Sequence, residues 1–553
     1  MRRDPRLLAV AVVVFLAAAI TWAAASEPAP GRTASQLSTA VPITNAAMVC
    51  PQAGGTPSGG AARVGYAAFG TDPADVAASS ATTTPLDPDG VSTPLQIKTG
   101  HAWVIDGPKT VGPVQVGVNG PLATRLGAVQ FTRQSIGKTW QASASPCEQP
   151  TTHAWFVGFS TGVGAHATLL LSNVDDVAAT VNVGIYGDTA PPNTDAKHGL
   201  TVAPRTQLAV RLDTVAPGLS NAAAEVTATA GRVVPALRFD AQNGSIPLGV
   251  DFLSRAADAS PTQTVPGIPG GEGARRVVIA APGDVDATVS VKLVTGDGSY
   301  TPTGLDVVDV PAGGVVSVDL DKELRGAPGG VVLSSTEPIV AGAVATLKPD
   351  KYGGADIAFT SAVPPLSGLA IAAGGETGAD RHTQLLLTAP GADAHVQLTL
   401  VPSSADAGPV VSPVTVPGGT SVVVDLRSIS QDQAPGVALL PQPGGPLFVA
   451  WVLQEATKNT ADLTSFSLWG QPTSLSRPPV SANLMAGLPG RTAVASPPRS
   501  GATGSAAPGS DAPASDVPAS DLPDVPASDL PDVPASDAPT QSPSGLPSSQ
   551  PSP

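Results

Sequence analysis

Charge and aromaticity are both scarce in this 553-residue chain, in which 13% of residues are charged and 4% are aromatic. With so few rings available, any core must be filled by Val, Leu, Ile and Ala, which suits half-buried strands. Base is in shorter supply than acid, 29 Lys and Arg against 44 Asp and Glu, for a net charge of −15. That balance repels nucleic acid and anionic membrane surfaces, so neither is expected as a partner. Cysteine is limited to Cys50 and Cys147. Glycine and proline, by contrast, number 59 each, about a fifth of the chain together, which implies many turns and few long helices.

One long apolar run is present. Arg2, Arg3 and Arg6 precede residues 7–25, which carry no charge and are long enough to span a bilayer. Basic residues on the short N-terminal side hold that end in the cytoplasm and place the body outside the membrane. Two outcomes stay open: a retained single-pass signal-anchor, or cleavage at the small residues Ala23-Ala24-Ala25, which would secrete the body. In that oxidising compartment Cys50 and Cys147 are expected to form a disulfide.

Laid against itself at an offset of about 107 residues, the sequence repeats. Leu169-Leu170-Leu171, Val277-Val278-Ile279 and Leu385-Leu386-Leu387 correspond, and each is followed by an alternating run: Ala179 to Val183, Ala287 to Val291 and Ala394 to Leu398. Period two marks a strand with one wet face. Val210-Arg211-Leu212, Val318-Asp319-Leu320 and Val424-Asp425-Leu426 follow in turn. Each unit then closes on two short runs, such as Val331-Val332-Leu333 with Pro338-Ile339-Val340, giving about six strands. Short strands with Gly, Pro and Asp turns in about 100 residues predict an immunoglobulin-like sandwich. The expected fold is therefore all-β, with tandem modules of this kind.

The expected partition is a signal segment at 1–26, a linker at 27–40 and a divergent disulfide-bearing β domain at 41–150. Sandwich repeats follow at 151–262, 263–366 and 367–476. Residues 477–553, rich in Pro, Ala, Ser and Asp, cannot bury enough apolar surface to fold and are expected to form a disordered acidic tail. Within 41–150, Val64-Gly65-Tyr66, Ala102-Trp103-Val104-Ile105 and Ala128-Val129-Gln130-Phe131 read as strands.

Several motifs taken in order, Val49-Cys50-Pro51, Cys147-Glu148-Gln149-Pro150, Trp155-Phe156-Val157-Gly158 and the Leu-x-Leu, Ala-x-Val and Gly231-Arg232-Val233 elements, carry a resemblance. The chain resembles a family of uncharacterised secreted or membrane-anchored proteins of high-GC Gram-positive bacteria, over residues 40–475. That resemblance implies an envelope location and supplies no catalytic residue.

Catalytic and ligand-binding signatures occur only as fragments. Ser135-Ile136-Gly137-Lys138 and Lys98-Thr99-Gly100 match two signatures of penicillin-recognising enzymes, but in reversed order and in β-rich surroundings. His101, His153, His166, His198, His382 and His395 are scattered and lack metal-ligand spacing. Gly162-Val163-Gly164-Ala165-His166-Ala167 precedes a strand, whereas a dinucleotide site needs a helix there. Asp87-Pro88-Asp89-Gly90 and Asp284-Val285-Asp286 lack the distal glutamate of a calcium loop and read as turns. No catalytic residue, cofactor or metal is therefore expected. Trp155 and Trp451 read as core, and Trp103 and Trp140 are the candidates for a ligand surface. The expected function is a non-catalytic envelope protein, structural or interacting, whose partner is an envelope protein or polysaccharide. The alternative is glycan binding, or service as an accessory to a membrane enzyme of polysaccharide assembly.

Overall fold

A computed structural model describes residues 39–477, apart from 53–60, 71, 99–100, 107–111, 137, 189–192, 405–406, 431, 433 and 457–460. The expected signal segment, the linker up to residue 38 and the acidic tail lie outside the described residues. Among those described, no helix is long and apolar enough to cross a membrane.

Every strand pair is antiparallel, and the chain is all-β as expected. In the first module, β2 (Asn45–Cys50), β7 (Val114–Asn119), β4 (Ser80–Pro85) and β5 (Thr93–Leu95) form one sheet in that order. β6 (Ala102–Asp106), β3 (Ala61–Ala68), β8 (Leu126–Ile136) and β9 (Thr139–Pro146) form the other. The second module repeats this order with β10 (His153–Phe159), β15 (Ala222–Ala230), β12 (Ala179–Gly187) and β13 (Asn193–Val202). Its other sheet runs β14 (Gln207–Arg211), β11 (Ala165–Ser172), β16 (Val234–Asn243) and β17 (Ile246–Leu253). The fourth module repeats it again: β26 (Ala370–Ala372), β31 (Gly436–Gln442), β28 (Ala394–Val401) and β29 (Val410–Val416). β30 (Thr420–Asp425), β27 (Arg381–Ala389), β32 (Phe448–Ala456) and β33 (Ala461–Ser467) complete it. Residues 45–146 thus share the strand order of the later units, and each unit has more strands than the six read from its apolar runs.

The third module varies the scheme. β18 (Ser260–Ile268) and β20 (Ala287–Thr295) flank the first part of β24 (Gly329–Thr346), and β20 also pairs β21 (Gly298–Tyr300) and β22 (Val308–Val310). β19 (Arg275–Ala280) and β25 (Ile357–Ser361) flank the last part, and β23 (Val315–Asp319) pairs β19. The two short runs expected here are therefore one strand of 18 residues. In the second module the same passage breaks at Gly231, whose φ of 71° suits a left-handed turn, and in the fourth at Pro443-Gly444-Gly445-Pro446. Residues 334–338, Ser-Ser-Thr-Glu-Pro, offer no glycine, so the backbone stays extended between the sheets.

Apolar alternation sets which face is buried. Ala179, Val181, Val183 and Ile185 of β12 point inward, as do Ala287, Val289, Val291 and Leu293 of β20. Leu169 and Leu171, Val277 and Ile279, and Leu385 and Leu387 fill the facing sheets. The cores also join across modules: Phe239 meets Phe359 edge-on at 5.5 Å, and Phe131 lies 5.7 Å from Trp451. At about 25 cal/mol per Å² of apolar surface removed from water, such shared cores hold the units against one another.

The last strand of each module, β9, β17, β25 and β33, forms the edge of its sheet. These four strands pack in a ring, β9 on β17, β17 on β25, β25 on β33 and β33 on β9. β1 (Thr39–Pro42) pairs β34 (Ser474–Arg477), tying the start of the described chain to its end. The modules are tandem in sequence but circular in space.

Candidate functional site

A ring of four sheet edges brings unpaired backbone N–H groups together out of water, and such groups need partners. Two carboxylates supply them. Asp356, fully buried, accepts from Ala142 N–H (2.9 Å) and Leu463 N–H (3.0 Å) on Oδ2, and from Val250 (3.3 Å) and Ile357 N–H (3.0 Å) on Oδ1. One side chain thereby binds β9, β17 and β33 as well as the start of its own strand. Asp251 of β17 accepts from the N–H groups of Ala144 (3.2 Å), Phe252 (2.9 Å) and Ser465 (3.3 Å), and from the Thr464 hydroxyl (2.8 Å). Burial pushes both carboxyls well above the ordinary aspartate value, against the pull of these donors.

Further along the ring, Ser361 Oγ donates to the Ser254 carbonyl (2.6 Å). Ser467 Oγ accepts from Ser361 N–H (3.0 Å) and donates to the Ser361 carbonyl (2.7 Å). These polar groups are buried and engaged with backbone, so the ring centre is built to hold strands together. Asp356 and Asp462, Ser361 and Ser467 each lie 106 residues apart, a polar repeat that a search for apolar periodicity passes over.

Between the first and fourth modules runs a chain of charges. Arg133 of β8 donates to buried Asp462 (2.9 Å) and pairs with Glu455. Arg381 reaches Glu376 (2.7 Å) and Asp462 (3.3 Å), and Arg63 of β3 reaches the same Glu376 oxygen (2.7 Å). Trp140 of β9 sits beside this seam, half-buried, with the Arg133 guanidinium 4.5 Å from its ring centre. Arg133 thus covers one face on which a sugar could stack. Trp103 lies in β6, opposite Tyr66 and separated from β9 by the two strands β3 and β8. Its side chain lies outside the described residues. The two tryptophans occupy opposite edges of one sheet and are not brought together.

Cys50, at the end of β2, and Cys147, just after β9, are bonded. Trp155 and Trp451 are buried. Asp87 accepts from Asp89 N–H (2.9 Å) within its turn, and Asp286 accepts from Ala312 N–H (2.8 Å), which ties two loops together. Among the described residues, no group of three His, Cys, Asp or Glu side chains is placed to hold a metal ion.

His153 of β10 forms a polar cluster that the sequence does not announce. Its Nδ1 lies 2.8 Å from Asp258 and its Nε2 2.9 Å from Glu225, which also accepts from the Tyr186 hydroxyl (3.1 Å). Two carboxylates facing both ring nitrogens favour the imidazolium, in which both donate. The hydrogen bond with Glu225 raises the His153 pKa above its ordinary value, and the same bond lowers that of Glu225. For a raised base, the stabilisation is complete below the ordinary value of 6.5 and is lost as pH rises through the folded value. For a lowered acid, it is present above 4.5 and is lost as pH falls through the folded value. Thermal melts against pH should therefore show a decline as pH rises beyond the ordinary histidine value of 6.5, and His153→Ala should flatten it. An unchanged profile in that variant would remove the assignment.

The match to known families is to a family of unknown function (DUF5719), over residues 106–427. That stretch runs from the first module into the fourth. The chain belongs to DUF5719. No curated protein and no solved structure matches it. The DUF5719 match carries no activity with it.

Proposed function

We propose that this DUF5719 chain is a non-catalytic, structural or interacting protein of the cell envelope, in high-GC Gram-positive bacteria. Its modules are read as immunoglobulin-like in size and two-sheet layering. The observation that carries the reading is the buried polar ring: the inward carboxylates and serines are engaged mainly by backbone N–H and C=O groups, which makes a rigid support for surface loops. The Cys50–Cys147 bond and the basic, apolar N-terminus support an extracytoplasmic body. Protease added to intact cells should leave the body whole and should digest it in protoplasts. A body protected in both preparations lies inside the membrane, which overturns the reading.

A second reading is recognition of an envelope glycan, directly or in aid of a membrane enzyme that assembles one. It is favoured by an open polar groove around the exposed ring of Tyr300.

A further inference from the structure

Resting on the glycan-recognition reading, we propose that the groove between the β20–β21 hairpin and the 321–324 turn of the third module binds a neutral pyranose unit of a polysaccharide. The groove has a volume of about 630 Å³, within the range of small-ligand sites, and it is half open rather than enclosed. An open groove suits a sugar within a chain, because the neighbouring units can leave at either side.

Tyr300 presents an apolar face, with 41% of its surface exposed. Its hydroxyl donates to the Glu323 carbonyl (2.9 Å), so the ring is fixed before any ligand arrives. Beneath the hairpin, β21 packs on β30 of the fourth module, which gives the platform a rigid back. Asp297, Ser299, Glu323 and Arg325 line the same space. A sugar hydroxyl can donate to a carboxylate and accept from a guanidinium, so this set satisfies a neutral polyol from both sides. An anionic ligand would meet two carboxylates against one cation.

Arg325 adds an independent sign. Its φ is 50°, and it is one of two non-glycine residues with positive φ among those described. In the second module the position matching Arg325, counted from Leu212 as Arg325 is from Leu320, is Pro217, and the left-handed residue of that turn is a glycine, Gly218 (φ 87°). Glycine would occupy a left-handed position without the Cβ penalty. An arginine kept there is strained, and strain held at a cleft points to use of the side chain.

The test is titration of the full-length protein with cellohexaose, maltohexaose and mannohexaose, with hexagalacturonate as the acidic comparison. At least one neutral oligosaccharide should bind, and hexagalacturonate should bind at least tenfold more weakly. Tyr300→Ala and Arg325→Gly should each weaken binding tenfold or more, while Tyr300→Phe, which keeps the stacking ring and loses only its tether to Glu323, should weaken it less than Tyr300→Ala does. Arg325→Gly should also melt at or above the wild-type temperature, because it relieves the left-handed strain. That variant keeps the proposal falsifiable should Tyr300→Ala fail to fold. Binding undiminished in Arg325→Gly removes this groove but leaves glycan recognition standing. Silence from all four sugars removes both, and preference for hexagalacturonate overturns the neutral ligand.

Discussion

Asp356→Ala should unfold the ring at far lower denaturant than wild type, with a loss on the order of 5 kcal/mol. The carboxylate accepts four backbone N–H groups from four strands, and alanine leaves all of them without a partner. An orphaned buried donor costs about 1–3 kcal/mol. Water entering the space left behind can recover part of that sum. Asp356→Asn keeps one acceptor oxygen but turns an amide N–H₂ toward two donors, so it should fall between alanine and wild type. The pH dependence follows from the sign of the shift. Burial raises the Asp356 pKa, so its contribution is complete below the ordinary value of 3.8 and declines as pH rises through the folded value. The gap between wild type and Asp356→Ala, measured by urea unfolding, should therefore narrow toward alkaline pH. A loss under 1 kcal/mol would mean that the four contacts do not hold the modules together.

That residue shows what the sequence conceals. The repeat was legible wherever an apolar side chain had to alternate: Leu169 with Leu171, Val277 with Ile279 and Leu385 with Leu387 are buried in the strands their pattern indicates. Val64 to Tyr66, Ala102 to Ile105 and Ala128 to Phe131 likewise fall in β3, β6 and β8. The first module hides its kinship because two of its strands are polar. β4 reads Ser-Ala-Thr-Thr-Thr-Pro, and β9 reads Thr-Trp-Gln-Ala-Ser-Ala-Ser-Pro. β9 can afford this composition because it is buried against other strands, where Gln141 Nε2 donates to the Ala355 carbonyl (3.1 Å).

Arg275 is opaque for a related reason. It opens β19, yet it is 2% exposed, and its guanidinium donates to the carbonyls of Pro269 (2.7 Å), Gly270 (2.9 Å), Gly271 (3.4 Å), Ala274 (3.0 Å) and Thr346 (2.9 Å). Loop carbonyls have no residue code. A cation dissolved in them is invisible until the loops are placed. The Tyr300 groove is hidden likewise, since it depends on a hairpin and a turn separated by about 20 residues and on a backbone angle at Arg325 that side-chain identity does not specify.

Loss of the Cys50–Cys147 bond should cost the protein about 4 kcal/mol, next in size to Asp356. The cysteines are 97 residues apart, and a bond closing a loop of that length removes roughly 4–5 kcal/mol of chain entropy from the unfolded state as an upper figure. The bond also joins the end of β2 to the residue just after β9, so it clasps the first module's two sheets beside the ring. Val49 reinforces the junction by pairing with Glu148 in both directions, N–H to carbonyl at 2.8 and 3.1 Å. Because both sulfurs are buried, Cys50→Ala with Cys147→Ala avoids leaving polar hydroxyls in the core, as paired serines would. The double variant should keep the native fold at low temperature, held by the modules around it, while its urea midpoint falls. Wild type under reductant should fall equally far once the bond is broken. Were the loss confined to a small early transition of the first module, with the main unfolding step unmoved, that module would be unfolding apart from the ring, and β9 could not be one of its four structural members.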